Sequence, residues 1–397
     1  MTPFNLRETK LLIGSKEIKK RSASPFDELS SDFLNCLSQE IFKNKKSRKF
    51  NDLITFGFWC RKKNISNLSK QFKDSNIRKS LGIILHIPPG NVPITSLYSF
   101  VFGLLSGNSN IVRIANPKLE NISLIIGILK KLINKRKFKE IKDSNAFIEY
   151  SKNDKVSAYL SSHTDGRIIW GGDNTIKIFK TYNTKPNCID IFFSDKYSLS
   201  TLNSEKIIRL KENKMNDLIK NFYNDVFLMD QNACSSPHLV LWIGKLNKKG
   251  IDKFWTYLNK YIDKKYSLNY SISAKRYNLL NNYLLKNHNF IFEKKFNKIF
   301  VINIKDLDNN ITKLRGFSGI FFQKRISSFD EIKFFLNRKI QTLTYFGISK
   351  HMIKKFLLSK NLEGIDRVVP IGQALDIGLI WDGFNIINKL TRIIDLK

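Results

Sequence analysis

Among the 397 residues, the stretch most suited to covalent chemistry is Asp230-Gln231-Asn232-Ala233-Cys234-Ser235-Ser236-Pro237. Cys234 sits among small and polar residues, between an amphipathic segment and the apolar run 239–243, and Pro237 stiffens the chain behind it. A thiol on such a loop is within reach of a substrate and becomes a nucleophile once ionised. The competing reading is an inert buried thiol, since unpaired cysteines commonly behave as small hydrophobes. His238 is the nearest candidate base, although a strand beginning there would turn it away. The other three cysteines, Cys36, Cys60 and Cys188, lie far apart with no C-x-x-C pair, as expected of free thiols in a reducing compartment. The five histidines show neither H-x-x-x-H nor H-E-x-x-H spacing, so no metal site is expected.

A second stretch with chemical potential is Trp170-Gly171-Gly172-Asp173, which follows an apolar run and opens a helical pattern. Glycines at such a turn let the backbone approach a pyrophosphate, with the helix N-terminus behind it. The G-x-G-x-x-G spacing is absent, and an ordinary strand-to-helix turn remains the alternative.

The elements that must position these loops are legible as alternating strands and helices from Leu81 onward. Residues 82–87 read as a buried strand, followed by the breaker Pro88-Pro89-Gly90-Asn91-Val92-Pro93 and a helical face at Leu97, Phe100, Val101, Leu104 and Leu105. Strands are predicted at 110–115, 146–150, 167–170 and 188–193, with helices at 122–132, 155–162 and 173–182. This alternation predicts an α/β fold with a doubly wound, mostly parallel sheet. The first eighty residues read as a helical approach: Ser24-Pro25-Phe26-Asp27 suggests a serine-capped helix with Leu29, Phe33, Cys36, Leu37 and Ile41 on one face, and a second helix contains 53–60.

Composition bounds the partners. With 42% hydrophobic and 12% aromatic residues the chain can bury a sizeable core, and its length suits two or three domains. The longest apolar stretches are interrupted and the first twenty residues lack a signal-peptide pattern, so a cytoplasmic protein without a membrane span is expected. The formal charge of +34 invites a nucleic-acid reading. The lysines, however, are scattered along the whole chain rather than gathered on one element, so no nucleic-acid partner is expected.

Several motifs occur in order between Leu81 and Arg392: His86-Ile-Pro-Pro-Gly-Asn-Val-Pro93, Gly103-Leu-Leu-Ser-Gly-Asn108 with Asn110-Ile-Val-Arg113, Trp170-Gly-Gly-Asp173, Cys188-Ile-Asp190, Gln231-Asn-Ala-Cys-Ser-Ser-Pro237, Gln341-Thr-Leu-Thr-Tyr-Phe-Gly347, Asp366-Arg-Val-Val-Pro-Ile-Gly372 and Trp381-Asp-Gly383. Together they resemble the LuxC-type acyl-CoA reductase family, part of the aldehyde dehydrogenase superfamily. The resemblance implies an aldehyde dehydrogenase-like α/β fold with a Rossmann-type cofactor domain and an α/β catalytic domain. The expected division is a helical N-terminal region at 1–80, a dinucleotide-binding domain at 81–203, a catalytic domain at 204–372 and a tail at 373–397 packing back on the body.

The same resemblance implies residue roles. Cys234 is expected to carry the acyl group as a thioester, and Asn91 to supply the side-chain donor of an oxyanion hole; without the resemblance Asn91 is an ordinary turn residue. Gly171 and Gly172 match the turn by the cofactor pyrophosphate. Arg113 stands where the superfamily commonly has a ribose-contacting lysine, and a guanidinium can hold a phosphate bidentately, so NADPH is expected with NADH as the alternative. The stretch 182–187 has no carboxylate where hydrolytic relatives carry a water-activating glutamate, which favours thioester exchange over hydrolysis. Arg315-Gly316-Phe317-Ser318-Gly319 replaces the superfamily's glutamate-containing ribose motif. The implied activity is reduction of an acyl-CoA, or of an acylated partner protein of the synthetase or acyltransferase type, to an aldehyde by a homo-oligomeric enzyme. A CoA-acylating aldehyde dehydrogenase working oxidatively and a non-catalytic basic binding protein are the alternatives.

Overall fold

The computed structural model describes residues 9–397 apart from 73, 75, 91, 152–153, 246, 287–289 and 309. The chain divides into two units, Met1–Asp195 together with Gly378–Lys397, and Lys196–Ile377.

The first unit is built on a six-stranded sheet in the order Lys10–Gly14, Asn145–Glu149, Ser109–Arg113, Ile83–Ile87, Gly166–Trp170, Ile189–Phe193. All neighbours are parallel except Lys10–Gly14, which pairs antiparallel to Asn145–Glu149 at the edge. The Ile83–Ile87 strand is buried at every position, as a central strand covered on both faces must be. The Thr95–Leu105 helix that follows it is apolar nearly all round and correspondingly buried along ten of its eleven residues. Gly107 closes that helix at φ +76°, where a Cβ would meet Ala23 O at 2.3 Å, so only glycine fits.

A buried polar chain runs through this sheet. Asn110 Nδ2 donates to Asn145 Oδ1 (2.7 Å), so its Oδ1 faces His86 Nε2 (2.9 Å) and must accept. His86 Nδ1 is then the acceptor for the Ser99 hydroxyl at 2.8 Å, and Trp170 Nε1 donates to the same Ser99 oxygen at 3.2 Å. Burial pushes the His86 imidazole down to about 4, with the Asn110 bond opposing, so the ring is neutral at pH 7.

The second unit holds a seven-stranded sheet in the order Phe290–Lys295, Phe300–Ile304, Ile320–Ile326, Pro237–Ile243, Tyr197–Leu202, Ile340–Phe346, Arg367–Pro370. Only the first pair is antiparallel. Alternate side chains of Pro237–Ile243 enter two separate cores, Leu239, Leu241 and Ile243 on one face and Val240 and Trp242 on the other. That is why the run reads as continuous apolar sequence rather than as alternation.

Three sequence expectations are corrected. The first helix starts at Glu28 and is capped by Asp27, whose carboxylate accepts Ser30 N (3.1 Å) and is held by the buried Arg21 guanidinium at 2.7 Å; Ser24 lies outside it and Phe26 sits at φ +57°. The first eighty residues are not only helical, because Lys10–Gly14 joins the sheet edge and Ile77–Ser80 pairs with Thr391–Ile394. These short partly polar strands lack a two-residue alternation, and their pairing partners are remote in sequence. The seam falls after Asp195 rather than at 203, since Tyr197–Leu202 pairs with Pro237–Ile243 and Ile340–Phe346 in the second sheet. Likewise residues 373–377 stay with the second unit, and the stretch that returns to the first begins at Gly378.

Candidate active site

In the first unit the chain moves outward from Ile83–Ile87 to Asn145–Glu149, then returns to Gly166–Trp170 on the other side of Ile83–Ile87. A doubly wound sheet forms its ligand crevice at the carboxyl ends of strands flanking such a reversal. A cleft of about 320 Å³ lies there, lined by Pro88, Pro89 and Gly90 after one strand and by Trp170, Gly171 and Gly172 after the other. The Asp173–Thr181 helix starts at this cleft with no side-chain cap on its N-terminus. A Cβ on Gly172 or Gly90 would meet no protein atom within 4 Å, whereas one on Gly171 would press on the Thr175 side chain at 2.9 Å. Gly172 therefore leaves backbone open to a ligand, and Gly171 allows the tight turn.

Arg113 ends the second parallel strand and lines the same cleft. Its guanidinium lies 4.8 Å over the Tyr150 ring, Nη2 donates to Tyr150 O at 3.4 Å, and the buried Nε has no hydrogen-bond partner. An arginine lining such a cleft offers a cationic group to a nucleotide there. The uncapped helix N-terminus, the open glycine and this arginine fit a dinucleotide.

In the second unit Cys234 is half-buried, on the turn that leads into Pro237–Ile243. The loop is fixed at both ends. Gln231 is fully buried, and its Nε2 donates to Pro237 O and Ile320 O, both at 3.1 Å, while its Oε1 accepts Gly319 N at 3.2 Å. These bonds hold Asp230 and Gln231 at φ +50° and +62°, a conformation costly for residues with a Cβ unless the surroundings fix it. Ser198 Oγ donates to Cys234 O at 2.7 Å, and Ser236 Oγ donates to Asp225 O at 2.7 Å. Gln341 Nε2 lies 3.5 Å from Cys234 Sγ as a donor to it.

His238 is fully buried, faces the Tyr197 ring at 5.2 Å, and is pushed down to about 3 by burial, then by Arg315. A ring so disposed cannot serve as the base for Cys234. The Cys60 thiol is raised well above its ordinary value by burial, and Cys188 is pushed up to about 11 by burial and then Asp190, so neither is poised to ionise.

The structure thus gathers Arg113, Gly171 and Gly172 around one cleft and puts Cys234 on a tethered loop of the second unit. Asn91 lies outside the described residues. Sequence reasoning assigned no role to Gln341, Arg367 or Asp225. Arg367 donates to Ala374 O (2.7 Å), Gln373 O (2.7 Å) and Asp376 O (2.6 Å), while Asp225 accepts Gly372 N and Ala374 N, so residues 372–376 are gripped from two sides. Two of these residues lie in the quoted motifs 341–347 and 366–372, but no spacing links them to Cys234. Among the described residues no group of histidine, cysteine and carboxylate side chains could hold a metal, and no helix is long and apolar enough to cross a membrane.

The fold is that of the aldehyde dehydrogenases. Betaine aldehyde dehydrogenase from Staphylococcus aureus, solved with NAD+, superposes with a TM-score of 0.57 at 13% identity, over 86% of this chain and 74% of that one. Glyceraldehyde-3-phosphate dehydrogenase from Methanocaldococcus jannaschii, complexed with NADP, gives 0.59 at 12% identity, over 92% and 88%. Within that fold the chain belongs to the Acyl-CoA reductase (LuxC) family, whose sequence model matches residues 27–393. A long-chain acyl-protein thioester reductase from Aliivibrio fischeri is 26% identical over 166 residues, 41% of this chain but only 32% of that relative's length.

Proposed function

We propose that the protein reduces an acyl thioester to an aldehyde, with Cys234 as the residue that takes up the acyl group. The observation that carries this reading is a thiol on a loop fixed by Gln231 and Ser198, with an amide donor at its sulfur, in a member of the acyl-CoA reductase family. Cys234 attacks the donor's carbonyl carbon, the donor thiol departs, and the acyl group remains as an enzyme thioester until it leaves as aldehyde. Asn91 supplies an oxyanion donor in this reading, on the strength of the motif 86–93. Residues 182–187 offer no carboxylate to direct water at the thioester, which suits reduction rather than hydrolysis.

A nicotinamide nucleotide, NADPH in preference to NADH, supplies the reducing equivalents. Gly171, Gly172 and the N-terminus of the Asp173–Thr181 helix would hold its pyrophosphate and Arg113 its ribose phosphate. The structural relatives carry NAD+ in one case and NADP in the other, which supports the class of cofactor. The donor is an acyl-CoA or an acylated protein, the latter suggested by the name of the Aliivibrio fischeri relative.

The test is incubation with radiolabelled acyl-CoA, then with NADPH, following label on protein and aldehyde release. Cys234→Ala should abolish both, Asn91→Ala should lower turnover by roughly 10²–10³, and replacing Cys36, Cys60 and Cys188 should leave the chemistry intact. Stable acyl label on the Cys234→Ala protein would sink the proposal.

A further inference from the structure

We propose that Gln341 is a catalytic residue whose side-chain amide N–H holds the Cys234 sulfur as a thiolate for acyl transfer. This rests on the reading of Cys234 as the acyl-accepting nucleophile.

The geometry has three parts. Gln341 Nε2 is 3.5 Å from Sγ, ordinary for a donor to the large sulfur atom, and the side chain is 1% exposed. Thr342 Oγ1 donates to Gln341 Oε1 at 3.3 Å in the same orientation that turns the amide nitrogen toward the sulfur. The Ile340–Phe346 strand is paired on both sides, with Tyr197–Leu202 and with Arg367–Pro370, so the amide is carried on a rigid support. Ser198 Oγ joins the two partners again, accepting Thr342 N at 3.2 Å while donating to Cys234 O at 2.7 Å. Adjacent residues of one strand therefore fix the sulfur and the backbone of the nucleophile.

The arrangement makes a dedicated base unnecessary: the Cys234 thiol gives its proton to solvent, and the amide stabilises the thiolate that remains. His238 is buried away from this duty, facing Tyr197. A hydrogen bond from a neutral amide favours the thiolate over the thiol, because the charged sulfur is the better acceptor. The positive field of Arg367, whose strand position pairs with Thr342, reaches Cys234 and acts in the same direction. In the transfer step the thiolate pair forms the new S–C bond to the acyl carbon. The donor's C–S bond breaks, and its sulfur leaves with the electron pair of that broken bond and takes a proton from solvent. Aldehyde release returns the charge to Cys234, where the Gln341 amide receives it again.

The experiment follows iodoacetamide modification of Cys234 between pH 5 and 10 by peptide mass spectrometry, on the full chain and on the Gln341→Met and Gln341→Glu variants. The wild-type rate should inflect below the ordinary thiol value of about 8.5. Gln341→Met should raise the inflection by about one to two pH units, and Gln341→Glu further, since a carboxylate then faces the sulfur. An inflection at or above 8.5 in the wild type, or one that does not move in folded variants, overturns the role of Gln341. The wild-type profile keeps the proposal falsifiable even if neither variant folds, since an inflection at or above 8.5 overturns it. Acyl labelling is measured in parallel: label on Cys234 with an unmoved inflection removes only Gln341, whereas label that persists in Cys234→Ala removes the reading beneath it.

Discussion

In the proposed reading, Arg113 is the residue on which cofactor choice turns. Its guanidinium is stacked on Tyr150 at the end of the second strand, its buried Nε has no hydrogen-bond partner, and the residue lines the same cleft as Gly172. Charge-assisted hydrogen bonds to a ribose phosphate contribute about 1.5–3 kcal/mol, roughly ten- to a hundredfold in affinity. The wild type should therefore use NADPH at higher kcat/KM than NADH, and Arg113→Ala should lose most of that margin with little change for NADH. Equal use of both nucleotides by the wild type, or a preference that survives the substitution, would show that the arginine does not read the phosphate. The stacking itself was not legible in the sequence, since Tyr150 is 37 residues away and is brought beside Arg113 by the pairing of their strands.

At the scale of elements, the strand Ile83–Ile87 carries both a motif residue and a liability. His86 is buried between Ser99 and Asn110 and bonded as a neutral ring. Its folded pKa of about 4 lies below the unfolded value of 6.5, so the folded state binds fewer protons between them. Its contribution is fully present above pH 6.5 and is lost as pH falls through about 4. The 2.5-unit difference corresponds to about 3 kcal/mol. Urea unfolding at pH 7 and pH 4.5 should show this loss. His86→Gln, which keeps an acceptor and a donor but no titratable group, should be less stable at pH 7 yet lose less on acidification. His238, depressed to about 3, adds a slope of the same sign in the second unit, so the variant's slope is reduced rather than abolished. An identical acid slope in both proteins would contradict this account.

At the scale of the whole molecule, the first unit is discontinuous. The chain leaves it after Asp195 and returns at Gly378 to complete it. Ile386, Ile387 and Leu390 are fully buried, Asn108 Nδ2 donates to Leu390 O at 2.9 Å, and Thr391–Ile394 pairs with Ile77–Ser80. Burying each such side chain contributes about 1.5–3 kcal/mol, which for three approaches the 5–15 kcal/mol of a typical fold. Deleting residues 386–397 should lower the melting temperature of the first unit and open it to protease. Unchanged melting and unchanged cleavage would show that the returning segment is dispensable.

The strand and helix order from Leu81 to Phe193 was written in the sequence, because buried parallel strands and amphipathic helices leave apolar runs and periods that survive without context. The family motifs were equally legible, and they marked Cys234, Arg113 and the Gly171-Gly172 turn as candidates. Tertiary structure alone decided contacts whose partners are remote in sequence. It gave the first helix Asp27 as its cap, because Arg21 holds that carboxylate in place. It placed Tyr197–Leu202 in the second sheet, because strand pairing rather than composition sets the seam. It removed His238 from the cysteine's service by burying it on the Tyr197 face, and it brought Gln341, 107 residues away, to the sulfur instead. A side chain's chemistry is fixed by its type, but its partner is fixed by which strands lie side by side, and that is a property of the folded sheet.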